Sequence, residues 1–449
     1  MITRVDARGE PVNGASEAAI ALYEKALAEL QCYRGDPLAT IDEAVAESPG
    51  FVMGHCFRAY LHALTTEAQA MAEARVSLDA AAQLQTNARE RRHLVVLRQF
   101  LQGSWEGAIA GLENVLIDFP RDALALQALH LCDFYIGDAR NLRDHVARVL
   151  PEWSTDDSGY HALLGMYAFG LEETGDYARA EETGRRALDL NPRDVWAQHA
   201  VAHVMEMQGR QQDGIEWMSG RRRFWAEDSF FAVHNWWHLA LFHLDLDQAG
   251  QVLSLYDGPI RGGRSRVVLD LVDASALLWR LHLRGLNVGE RWQELADSWT
   301  PLASDGFYAF NDAHAMMAFI ADGRDKAADD LLTAQQQAIA GSSGNARMTW
   351  EVGYPLCSAL RAFGRGDYAT CISLLRPIRS RLNRFGGSHA QRDVFDLTLM
   401  EAAKREGHYS LLRQLANERV EAKPSSPLNR RYRQDAARWA AQAAGIAAI

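Results

Sequence analysis

Apolar residues along this 449-residue chain recur at three- and four-residue spacing from about residue 17 onward, with no sustained alternation. That period marks one face of an α-helix, and its persistence predicts a chain that is helical almost throughout. β-Branched runs bounded by Asn-Gly or Asp-Gly, the usual sign of hairpin strands, are missing. The 12 prolines fall mainly between the helical stretches. Irregular loops are expected at 261–265 (RGGRS), 340–344 (AGSSG) and 385–388 (FGGS).

The helical stretches repeat. The clearest copy is Gly175-Asp176-Tyr177 followed by Ala180, Ala187 and Pro192. Gly103-Ser104-Trp105 with Ala108, Val115 and Pro120 precedes it, and Gly137-Asp138-Ala139 with Leu142 and Val149 lies between. Gly209-Arg210-Gln211, Gly323-Arg324-Asp325 with Ala328, Gly366-Asp367-Tyr368 and Gly407-His408-Tyr409 with Pro424 follow. Equivalent positions 105, 139, 177 and 211 are 34, 38 and 34 residues apart, the period of the tetratricopeptide helix–turn–helix unit. One such unit cannot bury its own apolar face, so neighbours must stack, with small residues where the helices cross. The expected fold is therefore all-α, a right-handed superhelical solenoid of tetratricopeptide-like helix–turn–helix repeats with a concave inner wall. Residues 1–16 read as an N-terminal extension, 17–423 as the repeat array and 424–449 as a C-terminal capping helix. Residues 17–60 read as a degenerate first hairpin around Ala44 and Pro49.

Composition narrows the functional classes. A net charge of -11 argues against a general binder of nucleic acid or anionic membrane, so neither is expected as a partner. The five cysteines are scattered without a CxxC pair, which fits reduced thiols and offers neither a disulfide framework nor a thiolate zinc site. The first residues lack an apolar signal region and no run of about 18 apolar residues follows, so a cytoplasmic protein is expected. P-loop, Rossmann, GxSxG and kinase signatures are all missing.

Several strings carry a more specific resemblance: GMYAFGLEE (165–173), DVWAQHAVAHVMEMQGR (194–210), HNWWHLALFHLD (234–245), DLVDASALLWRL (270–281), NDAHAMMAF (311–319) and GGSHAQRDVF (386–395). On these the chain resembles a bacterial member of the tetratricopeptide repeat protein 38 family. The resemblance covers roughly residues 90 to 430 and implies a cytoplasmic helical-repeat protein. It supplies fold and motifs but no mechanism, so the roles of residues rest on their chemistry.

Candidate chemistry centres on histidines. With Ala202 as the small crossing residue, His199, His203 and Glu206 fall at i, i+4 and i+7 on the face that a tetratricopeptide array turns inward. With Ala249 and Leu253 as register marks, His234 and His238 take the same two positions in the next unit. Four imidazoles and a carboxylate are thus expected to face one space, with Glu173 and Trp237 nearby. Such a set can act as general acid and base or bind a small polar ligand. It can also hold a divalent metal, zinc first, on His199, His203, His234 and His238. Packing of hydrogen-bonded imidazoles against tryptophan is the competing explanation. Asp273 reads either as a helix cap or as a polar member of the inner wall. His314, His389, Arg392 and Asp393 are expected at the ligand end of the groove, where the Gly386-Gly387 turn would offer amides to an anion.

Two functions follow. The first is a repeat protein whose concave face forms a His/Glu/Trp-lined pocket for a small polar ligand, with acid–base or metal-assisted hydrolytic chemistry if it is an enzyme. The second is a non-catalytic adaptor holding a peptide or partner protein in its groove. The His, Glu and Trp content of the inner face favours the pocket, and homo-oligomerisation is compatible with either.

Overall fold

All seven glycines of the repeat signature end a helix in the left-handed region, with φ between 66° and 83°. In the computed structural model, which describes residues 4–443 and 445, this conformation closes the same hydrogen-bonded turn in successive repeats. At Gly103, the Gly103 amide donates to the Phe100 carbonyl and that of Ser104 to Gln99; Gly175 and Asp176 donate in the same way to Glu172 and Leu171. That pair of bonds satisfies carbonyls the helix end would otherwise leave unpaired. The helix pair Ala232–Asp245 and Ala249–Leu255 has no glycine at its turn, and Asp247 takes φ 64° instead, a conformation that Asp tolerates better than most residues. Gly285 ends a further helix, Val268–Leu283, at φ 74°. The repeat pattern had not marked this turn, because the segment after it lacks the Tyr and Ala of the signature.

The result is an all-α helical-repeat fold. Antiparallel pairs run from Glu17–Cys32 with Pro37–Glu47, through Tyr160–Glu173 with Tyr177–Leu190, to His389–Arg405 with Tyr409–Ala422. Ala108, Ala180, Ala187 and Ala328 at the crossings are fully buried. The helix Pro427–Ala443 packs on Tyr409–Ala422. The loops expected at 340–344 and 385–388 are short breaks between helices, and 261–265 follows a widened turn at Tyr256–Ile260. Residues 1–3, 444 and 446–449, part of the expected terminal segments, lie outside the described residues.

The chain contains a small antiparallel ribbon, Arg4–Val5 with Pro11–Val12. Two residues per strand are too few to generate an alternating pattern, so the ribbon leaves no sequence period. Its stability is tertiary: Asp6 Oδ1 accepts from the amides of Arg8 and Glu10, and Arg89, fully buried, bridges Asp6 at 3.2 Å and Asp122 at 2.6 Å.

Contacts divide the described chain into two units. One comprises residues up to Val201 with Arg222–Ala232 and Ser342–Asn345; the other comprises Ala202–Arg221, Val233–Gly341 and residues from Ala346 on. The division falls inside the helix Val195–Met207. The first unit is built around the Arg89 network and an aromatic cluster containing Tyr33, Phe169 and Trp196. Trp279, Trp299 and Phe319 lie in the core of the second.

Candidate functional site

The second unit gathers a histidine cluster from three helices. His203 and Glu206 come from the end of Val195–Met207, His234 and His238 from Ala232–Asp245, and Asp273 from Val268–Leu283. The i, i+4 spacing of His234 and His238 sets both rings on one helical face, and their Nε2 atoms lie 3.2 Å apart. The His203 ring centroid is 4.4 Å from that of His238. One ring nitrogen from each of the three histidines lies within 4.8 Å of the others.

The opposite sides of two rings are committed. His234 Nδ1 donates to Asp273 Oδ2 at 2.8 Å, and His238 Nδ1 donates to Glu206 Oε2 at 2.9 Å. A carboxylate only accepts, so Nδ1 carries the proton in both rings. The Nε2 atoms of the two rings face each other at hydrogen-bond distance. His234 stacks on Trp237 with centroids 5.3 Å apart, and the Arg280 guanidinium stands 5.3 Å from the same indole. Burial, followed by His203, His234, Arg280 and Lys423, pushes the His238 imidazole well below its usual range.

Charged groups surround this cluster. Arg280 is buried and donates to the carbonyls of Ala276 and Ala390. Asp393 is gripped by Arg419 at 2.5 and 3.1 Å. Burial alone would raise the Asp393 carboxyl; Arg419, then Lys423 and Arg280, override it and hold it at about 2. Lys423 Nζ stands 3.6 Å from Glu206 Oε1. Arg280, Arg419 and Lys423 carried no sequence signal, because isolated basic residues on helices are ordinarily solvated.

The remaining expected site residues have further contacts of their own. Asp273 lies inside its helix and bonds His234, so it belongs to the wall and is not a cap. His314 is fully buried between Phe310 and Phe395. Its Nδ1 donates to the Phe310 carbonyl at 2.8 Å while Nε2 has no partner, and burial lowers the ring to about 4. His389 is exposed, with Nδ1 3.3 Å from Arg392, which also donates to the Gly387 carbonyl. At that helix start the Ser388 amide is taken by Gln391 in a capping box. In the first unit, His199 sits among Phe169, Trp196 and Phe231, with centroids 5.5, 4.8 and 5.1 Å away. Glu173, beside the fully buried Glu172, ends the helix Tyr160–Glu173.

No family model matches the chain. Cellulose synthase 1 operon protein C of Komagataeibacter xylinus is 31% identical over 96 residues, 21% of this chain and 7% of that protein. The chain therefore spans only a small part of that relative's length. Among solved structures, the human IFIT1 dimer with PPP-AAAA is similar at 14% identity and a TM-score of 0.41, covering 87% of this chain and 91% of that one. Yeast Tom70 is similar at 12% identity and a TM-score of 0.36, covering 95% and 88%. In this chain no described helix is long and apolar enough to cross a membrane.

Proposed function

We propose that this chain is a cytoplasmic member of the tetratricopeptide repeat protein 38 family that holds a divalent metal ion, zinc first, on His203, His234 and His238. In this reading the metal is presented to a small polar ligand.

A single observation carries the proposal. Both Nδ1 atoms donate to carboxylates, and the two Nε2 atoms face each other at 3.2 Å. Two imidazole nitrogens at that distance share either a proton or a metal ion, and we assign the metal. Nitrogens about 2.0–2.1 Å from one zinc at the tetrahedral angle lie about 3.3 Å apart, which is the spacing found. A carboxylate on the far nitrogen is also the usual support of a ligating imidazole, fixing its tautomer and raising its basicity. Asp273 and Glu206 do this for the two rings.

The rest of the chain has definable tasks. Trp237 holds the plane of His234 by stacking, and the buried surroundings of His203 and His238 exclude water from the ligand side chains. When bound, a zinc ion with three imidazole ligands and one open position acidifies a coordinated water and polarises a substrate oxygen, which is hydrolytic chemistry. Glu206 remains tied to His238 and serves as an orienting group.

Elemental analysis of the purified chain tests this, after zinc loading and removal of excess. Stoichiometric zinc in the wild type that is absent from a folded His203→Ala/His234→Ala variant is the expected result. No metal retained by the folded wild type would sink the proposal and leave a shared proton between His234 and His238.

A further inference from the structure

A cavity of about 240 Å³ has Arg379, Asp393, Asp396, Arg419, Lys423 and Asn429 among its lining, and Lys423 links it to Glu206. Most charges there are spent. Arg419 is held by Asp393 and by Asn429 Oδ1 at 3.0 Å, and Arg379 donates to Asp396 at 2.7 Å and Glu418 at 2.9 Å. Lys423 also acts on Asp393, but it is held more loosely. Its ammonium lies 3.6 Å from Glu206 Oε1, outside hydrogen-bond reach, and makes no side-chain hydrogen bond among the described residues. Its side chain keeps 19% of its surface exposed. Glu206, through its other oxygen, accepts from His238, so this lysine stands one carboxylate away from the imidazole pair.

We infer that Lys423 is the anion-recognition group of the site, and that the ligand brought to the histidines is a small carboxylate or phosphate whose oxygen accepts from Nζ. The destination of that ligand rests on the metal proposal; the anion subsite itself rests on Lys423 and the cavity. Around the cavity, Arg379, Arg419 and Lys423 offset Asp393, Asp396 and Glu418, while Glu206 adds one negative charge. These surroundings are net negative by one charge, so an incoming anion must displace Glu206 from Lys423. A divalent ion held by the histidines tips the local balance positive and strengthens that exchange. The volume lies below the roughly 300–1,000 Å³ of pockets for drug-sized molecules, which fits a ligand of a few heavy atoms.

The test uses inorganic phosphate and acetate as probes on the full chain, against chloride at matched ionic strength. Thermal denaturation of metal-free protein reads the anion subsite. At least one probe is expected to raise the Tm, and Lys423→Met to need about tenfold more of it, the order of one lost charge-assisted hydrogen bond. Lys423→Arg is expected to keep most of the effect, and far-UV circular dichroism checks that both variants fold. Response to phosphate alone or to acetate alone identifies the ligand class. No shift in the wild type, or an equal shift in Lys423→Met, overturns the inference whatever the metal content. Cobalt(II) loading is read separately: a visible spectrum that the same anion alters, only with Lys423 present, supports delivery of the anion to the metal. A chain that refuses cobalt while keeping the Lys423-dependent shift removes the metal proposal and leaves the anion subsite standing.

Discussion

His234 and His238, one turn apart on a single helix, face each other through Nε2 at 3.2 Å while each is pinned at Nδ1 by a carboxylate from a different helix. The carboxylates make a prediction separable from loss of the ligands themselves. Asp273→Asn keeps an acceptor near His234 but removes the charge that fixes the ring. Zinc affinity, measured by chelator competition, is expected to fall about 10–100-fold with the fold intact. Unchanged affinity would mean that the Nδ1 contacts do not support a metal ligand.

Asp312 gives a pH dependence of stability. It is buried, accepts from Gln335 Nε2 at 3.0 Å, and burial, with Asp305 adding to it, pushes its carboxyl up to about 7. A folded pKa above the unfolded one means the folded state holds the proton longer. The stability from this group is complete below about pH 3.9 and is lost as pH rises toward about 7. Asp312→Asn is expected to gain on the wild type over that window and to hold the gain above it. Urea unfolding at pH 4, 5.5 and 7.5 measures this, and a gain that shrinks with rising pH would refute it.

The glycine turns predict a purely conformational cost. Gly175 has φ 83°, and a Cβ there would meet nothing within 4 Å. Gly175→Ala should therefore cost about 1–2 kcal/mol from left-handed strain alone. Gly364, with a Cβ site 2.2 Å from Ile320 and no positive φ, should lose stability through overpacking, typically about 1–3 kcal/mol. Trimming Ile320 to Ala, which removes the Cγ2 that the new Cβ meets, should cost less in Gly364→Ala than in the wild type, whereas no neighbouring truncation should rescue Gly175→Ala.

The buried arginine of the first unit predicts a larger effect. Arg89 compensates Asp6 and Asp122, and Asp122 also accepts from His93 Nε2 at 2.8 Å. Burial opposes the charge on Asp122, but Arg89 and His93 overcome that and hold its carboxyl well below its usual range. A depressed folded pKa contributes stability above about pH 3.9 that is lost as pH falls through the folded value. Arg89→Ala strands the carboxylates and is expected to cost about 3–5 kcal/mol at neutral pH. Denaturant titration showing less than about 1 kcal/mol would mean that water or a rearranged partner replaces the guanidinium.

Local physics made much of this chain legible in its sequence. The period of 3.6 fixes which face of a helix is buried, and a residue forced to positive φ favours glycine, so the repeat turns at Gly103, Gly137 and Gly175 could be read before any contact was known. For the same reason the turn at Asp247 left no mark, since Asp can take φ 64° without announcing it. The i, i+4 pairing of His234 with His238 was equally local. Tertiary structure alone decided what those rings meet. Asp273 and Glu206 reach the two Nδ1 atoms because neighbouring helices pack at particular heights and rotations, and Lys423 arrives beside Glu206 from about 200 residues further along. Side-chain periodicity carries a residue's direction from its own helix axis but not the stagger between helices. The sequence therefore determined which residues turn inward, and packing between repeats determined which nitrogens and charges converge.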